Sequence, residues 1–327
     1  MKGDVLKMEG QLVKNSKQVK KKKNFIIKEL NDNKLLYLMA LPGIIAIFVF
    51  NYIPFSYIVI AFKNYNFQDG IFGSPWVGFD NFRFFFGAGG KALQVTFNTV
   101  YLNLLFILFD LITQVGMAIL INEVKNKYFK SISQSILFFP YFLSWVIVGE
   151  IVYSLFASDI GVINGILTSI GFHSVPWYKL PEYWRPILVL THIWKITGYG
   201  TIIYLATIAG FDFSIFEAAT VDGASRIQCI RYLTLPMLKD TMVVLVLFSI
   251  GRIFFGDFGM VYAIVRDTGP LLQNTEVIDT YVFRALRQTG NFSMATAIGL
   301  YQSIMGFIVI IIFNKLAKKF NDGSGLF

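Results

Sequence analysis

Charge is what this sequence has little of: Asp, Glu, Lys and Arg make up 15% of its 327 residues, while 55% are hydrophobic and 17% aromatic. With a mean hydropathy of +0.59, that excludes a soluble domain, which could not hide so much apolar surface from water. Cysteine is nearly absent. The single Cys229 excludes an intrachain disulfide, and with no thiol or histidine cluster beside it, it reads as a packed residue. The two histidines, His173 and His192, lie far apart without ligand spacing, so no metal site is expected and both read as structural. A P-loop is missing too. The nearest imitation is GAGGKA, Gly87 to Ala92, but Phe85 stands where the leading Gly belongs and Ala92 where the Mg²⁺-binding Ser or Thr belongs. No catalytic site is therefore expected in this chain.

What is present is a set of long apolar runs, each able to cross a hydrocarbon core that needs about 20 helical residues. Six spans are expected, near Leu35 to Phe62, Leu93 to Ile121, Ile132 to Ala157, Ile187 to Ala209, Thr241 to Ile264 and Phe292 to Lys315. The fold class is an all-α polytopic membrane protein. Pro42 and Pro54 predict kinks in the first span rather than its end. Residues 1–34 read as a basic tail, too long and polar for an ordinary signal peptide; 35–316 as the membrane domain, with a polar insert at 210–240; and 317–327 as a second tail. Lys and Arg set the orientation. With the N-terminus inside, nineteen fall on the inner side and eight on the outer, and the tail, with its Lys20 to Lys23 run, supplies the whole asymmetry. Both termini are expected in the cytoplasm. A net charge of +9 is then explained by topology and anionic lipid rather than by nucleic acid.

The insert contains EAATVDGASRIQCIRYLTLP, Glu217 to Pro236. Ser214 with Glu217 has the spacing of a capping box, predicting a helix start at Ser214. Gly223 allows the positive φ that ends a helix, Ser225 can cap a second one with Ile227, Ile230 and Leu233 along one face, and Pro236 suits the first turn of the next span. The insert is predicted to be a small rigid knob of two helices around a glycine turn, on the cytoplasmic side.

EAATVDGA followed by LTLP resembles the EAA loop of the inner-membrane permeases of binding-protein-dependent ABC importers. Glu217, Ala218, Ala219, Asp222, Gly223, Ala224, Leu235 and Pro236 match that pattern, while Ile230 and Leu233 depart mildly from it. GSPWVGFDNF (Gly73 to Phe82), INEVKN (Ile121 to Asn126), FPYFLSWVIV (Phe139 to Val148), IWKITGYGTIIYLATIAG (Ile193 to Gly210) and NTEVIDTYVFR (Asn274 to Arg284) are similar to the carbohydrate-uptake permeases, and within them to the branch that often serves oligosaccharides. The resemblance implies a type I ABC importer permease fold with six transmembrane helices and alternating access. It also implies partners: a homologous second permease, two ATP-binding subunits that bind ATP and Mg²⁺ and dock on the EAA loop, and an extracellular solute-binding protein on the outer loops.

Apart from the terminal Lys315, the first and last spans lack charged residues, whereas the middle four hold Asp110, Glu150, Lys195, and Arg252 with Asp257. Such charges should face protein or water rather than lipid. Counting helical rise puts Asp110 and Arg252 at one depth and Glu150 and Lys195 at another, which predicts two ion pairs, with Asp257 able to compete for Arg252 or Lys195. Trp194, Thr197, Tyr199, Thr201, Ser249 and Arg252 offer the hydroxyls, aromatic faces and charge a sugar pathway needs. An alternative is a proton-coupled secondary transporter relaying protons through Asp110 and Glu150; it has no need of a knob for an ATPase. A non-transporting scaffold is disfavoured by the charged spans.

Overall fold

The computed structural model describes residues 32–87 and 90–320. The Lys20 to Lys23 run and most of both tails lie outside the described residues. Helices dominate, and among the described residues the only β-type pairing is an isolated bridge between Lys63 and Trp76. The chain falls into two units, one ending at Val59 and the other beginning at Ile60.

The first unit is the start of an apolar helix, Lys34–Phe62. Its opening segment α1 (Lys34–Ile47) contains Pro42, and a π-helical turn, Phe48–Tyr52, comes just before Pro54. Proline has no N–H and its ring crowds the carbonyl four residues back, so the widened turn lets the helix continue. The same device recurs at Ile230–Thr234, just before Pro236. At both places proline marks a bulge within a continuing helix.

The second unit carries α2 (Lys91–Glu123), α3 (Lys127–Phe138), α4 (Trp145–Phe156), α5 (Trp184–Ala209), α6 (Phe213–Val221), α7 (Arg226–Gly251), α8 (Phe258–Val265), α9 (Ile278–Thr289) and α10 (Phe292–Phe320). Four helices are long and apolar enough to cross a membrane singly, and two bent pairs bring the total to the expected six. Expected spans one, two, four and six fall on Lys34–Phe62, α2, α5 and α10. Span three is broken: Lys127–Phe142 meets α4 at 97°. Span five, expected at Thr241 to Ile264, instead begins at Arg226, stops at Gly251 and resumes only at α8.

Each break is held by side chains that satisfy its freed backbone groups, as non-helical backbone at membrane depth requires. In span five, Asn103 of α2 donates to the Ile253 and Phe255 carbonyls, both at 3.0 Å, and Gln302 of α10 donates to the Phe254 carbonyl at 2.9 Å. Asp279 accepts from the Gly256 N–H at 2.6 Å, and Asp257 caps α8 by accepting from the Met260 N–H at 2.9 Å. In span three, Ser144 caps α4 through the Ile147 N–H. Helices α2 and α5 pack so closely that a Cβ on Gly200 would overlap the Gln114 side-chain amide. The main core, with Leu102, Val148, Trp184, Leu188, Met260 and Ile264, joins α2, α4, α5 and α8.

Candidate functional site

The insert forms a knob, with a different cap from the one the spacing suggests. Asp212, not Ser214, is the N-cap of α6: its carboxylate accepts from the Ser214 N–H at 3.0 Å. Ser214 lies inside the helix, so its box with Glu217 does not form. Hydrogen bonds from the Ser214 side chain and backbone hold the Asp212 carboxyl below the usual carboxylate range. A lowered folded-state value means the cap is intact at neutral pH and is lost only as pH falls through that value. At the other end, Ala224 N–H bonds to the Ala219 carbonyl and Gly223 N–H to the Thr220 carbonyl, a Schellman turn with Gly223 at φ +84°. Ser225 then caps α7, as expected, and does so in a reciprocal box with Gln228 that the sequence reading did not include.

No residue of α6 is buried, and Val221 and Ile227 at the tip are 87% and 77% exposed. Glu217, Ala218, Asp222, Leu235 and Pro236 are exposed, with Ala219 and Ala224 half-buried. The Glu217 side chain makes no hydrogen bond among the described residues. A groove of about 280 Å³ lies behind the knob, lined by Phe213, Phe216, Cys229 and Ile230 among others.

Deeper in the protein, two cavities share Asp110, Ile107 and Ser249. One, of about 220 Å³, is lined also by Gln114, Tyr199, Gly200 and Tyr204. The other, of about 520 Å³, is lined also by Asn103, His192, Arg252, Phe255, Asp257 and Phe258. Of the expected pathway residues, Tyr199, Ser249 and Arg252 line these cavities. Thr197 and Thr201 do not: both are buried, Thr197 3.0 Å from Thr113 and Thr201 bonded to the Thr197 carbonyl, so they pack α5 onto α2. Trp194 is 46% exposed and lines neither cavity.

Neither expected ion pair forms. Asp110 binds His192, with Oδ2 and Nε2 3.0 Å apart, and the imidazole stacks on Phe106 at 4.1 Å. Glu150 instead pairs with Arg266 at 2.7 Å. Lys195 is buried and donates to the carbonyls of Pro140 at 3.3 Å, Tyr141 at 2.7 Å and Leu143 at 2.7 Å. It serves the helix end that the span-three break exposes, where a cation also meets the negative pole of the helix. Asp257 is engaged as the α8 cap. Depth counted along straight helices could not foresee these partners, because spans three and five are broken and azimuth was unspecified. His192, read as structural, is the partner of Asp110 that sequence reasoning did not assign. Its signal was a spacing of three from Lys195, which puts both on one side of α5 facing the charged spans.

Three comparisons bear on this geometry. Residues 114–322 match the family model described as the binding-protein-dependent transport system inner membrane component. The chain is 37% identical over 302 residues to the polygalacturonan/rhamnogalacturonan transport system permease YteP of Bacillus subtilis, covering 92% of this chain and 93% of that one. It is 36% identical over 298 residues to protein LplB of Bacillus subtilis, covering 91% and 92%. Among solved structures, it is similar to a chain of a bacterial ABC transporter involved in import of the acidic polysaccharide alginate, with TM-score 0.82, 31% identity, and 90% and 99% of the two chains covered. A second structure of a bacterial alginate ABC transporter, in complex with an alginate pentasaccharide-bound periplasmic protein, matches with TM-score 0.81.

Proposed function

The chain belongs to the binding-protein-dependent transport system inner membrane components, as a multi-pass permease of a carbohydrate ABC importer with the type I permease fold, and on that premise we propose that Asp212 to Pro236 is the handle by which a separate ATPase drives it. The observation that carries this is the knob itself. A capped helix, a left-handed glycine turn and a second capped helix bear the EAA residues on a surface that buries nothing of its own.

In this reading two ATP-binding subunits sit on the cytoplasmic side, bind ATP and Mg²⁺, and close on hydrolysis cycles that this chain does not catalyse. A homologous second permease completes the pathway, an extracellular solute-binding protein delivers an oligosaccharide to the outer loops, and both termini are cytoplasmic. Closure of the ATPases pulls on α6, which continues into α5 through a 73° bend and into α7 through the Gly223 turn. Rocking α5 and α7 changes which side of the membrane the cavities between them and α2 face. The names of YteP and of the alginate importer support oligosaccharides from acidic polysaccharides as cargo. A proton relay through Asp110 and Glu150 has no such support, since each binds a different basic partner.

The test is uptake by the complete importer in sealed vesicles. Labelled oligosaccharide is expected to accumulate only with ATP on the cytoplasmic side and binding protein on the other, and to be indifferent to a proton ionophore. Uptake without ATP that collapses with the ionophore would overturn the reading in favour of the proton-coupled carrier.

A further inference from the structure

The larger cavity holds a cation that nothing around it neutralises by contact. Arg252 follows the last residue of α7, is exposed to the cavity, and has no hydrogen-bond or ion-pair partner for its side chain among the described residues. Three acids are near enough to matter, and each is committed elsewhere. Asp110 binds His192, Asp257 caps α8, and Asp279, within electrostatic reach of Arg252, accepts from the Gly256 N–H and from Gln302. The guanidinium keeps all its fork-like donors available. Asp110 sits in the middle of α2, and its other oxygen, Oδ1, is buried with no hydrogen-bond partner. Arg252, with its donors free, thus lines a space of about 520 Å³ together with Asp110, Ser249, Phe255 and Phe258.

We propose that this cavity is a binding subsite for one uronic acid residue of the transported oligosaccharide, with Arg252 taking the sugar carboxylate in a bidentate contact. This rests on the oligosaccharide reading above and deepens it. The surrounding carboxylates make the site selective: an added negative charge is repelled everywhere in the cavity except at the guanidinium, which fixes the orientation of the sugar. A planar carboxylate matches the arginine fork, whereas lysine offers a point charge. The Phe255 and Phe258 side chains supply apolar lining for the C–H face of a pyranose.

The experiment is thermal unfolding of the purified complete importer, without binding protein, titrated with trigalacturonate or with its methyl ester, in which the same ring and hydroxyls carry no charge. Trigalacturonate is expected to raise the melting temperature of the wild type in a saturable way, and the ester to bind roughly ten- to hundredfold more weakly, the span of a charge-assisted bidentate contact. Arg252→Gln should remove the preference for the acid, and Arg252→Lys should keep part of it. Should Arg252→Gln not assemble, Arg252→Lys carries the test alone through a severalfold weaker response to the acid with an unchanged response to the ester. Equal responses to acid and ester, no response in the wild type, or an acid preference that survives both substitutions would each overturn the site. A wild type that imports oligosaccharide with ATP yet fails this titration overturns the subsite alone, whereas absence of ATP-driven uptake overturns the reading beneath it.

Discussion

Gly223→Val is expected to cut ATP-driven uptake by roughly 5- to 30-fold while leaving the protein inserted in the membrane. Gly223 sits at φ +84° with nothing within 4 Å of where a Cβ would be, so space is not the obstacle. The obstacle is the backbone: an L-residue in the left-handed region costs roughly 1–2 kcal/mol, and a branched side chain is the worst case. That strain is relieved by opening the Schellman turn, which frees the Ala219 and Thr220 carbonyls and swings α6 relative to α7. A population shift of about 1–2 kcal/mol corresponds to the stated loss. Glu217→Ala separates shape from contact, because Glu217 is exposed and takes no part in capping α6. Helix and turn should survive, and uptake should still fall by at least about tenfold if the carboxylate is buried against a cation of the ATPase. Copurification of the ATP-binding subunits with each variant provides the second readout. Full uptake and full retention of those subunits by both variants would contradict the docking role.

The knob was legible because its signals are local. A glycine that must be left-handed, a Ser225 cap and the matched EAA residues all act within a few positions of each other. Even there the N-cap was misplaced by two residues, since Asp212 and Ser214 are both good caps and only the chain's exit angle from α5 chooses between them. The spans were legible in number, because hydrophobic length survives a break. Their interruptions were not. Asn103, Gln302 and Asp279 rescue the unwound Arg252 to Asp257 segment from helices distant in sequence, and no window of the sequence contains those partners. The charge partners failed for the same reason. Lys195 binds no acid but the carbonyls of a helix end whose existence depends on the break at Leu143. Thr197 and Thr201, chosen for their hydroxyls, face α2, where Thr197 meets Thr113 and Gly200 leaves room for the Gln114 side chain.

Lys195→Met is expected to be the most destabilising of the single substitutions at the buried charges. The ammonium bridges three carbonyls at the end of Lys127–Phe142, and its stem lies near the Tyr141 and Trp145 rings, 5.5 and 5.1 Å from the nitrogen. Methionine retains the stem and removes the donors. Each buried acceptor left without a donor costs roughly 1–3 kcal/mol, so a loss on the order of 3 kcal/mol or more is expected if no water reaches all of them. Because the 97° bend between Lys127–Phe142 and α4 is built on that cluster, the loss should appear as local opening of residues 139–144 in hydrogen exchange before global unfolding. Glu150→Gln should behave differently. Its carboxylate is 66% exposed and meets an Arg266 side chain that is 38% exposed, so the change should cost no more than about 1 kcal/mol. A double-mutant cycle on Glu150→Gln with Lys195→Met is therefore expected to be additive within about 0.5 kcal/mol. The cycle on Asp110→Asn with His192→Gln should show coupling of about 0.5–3 kcal/mol, the range for side chains sharing one hydrogen bond. A coupled Glu150–Lys195 cycle, or a Lys195→Met variant as stable as wild type, would mean that the lysine draws its stabilisation from the acid rather than from the carbonyls of the broken helix.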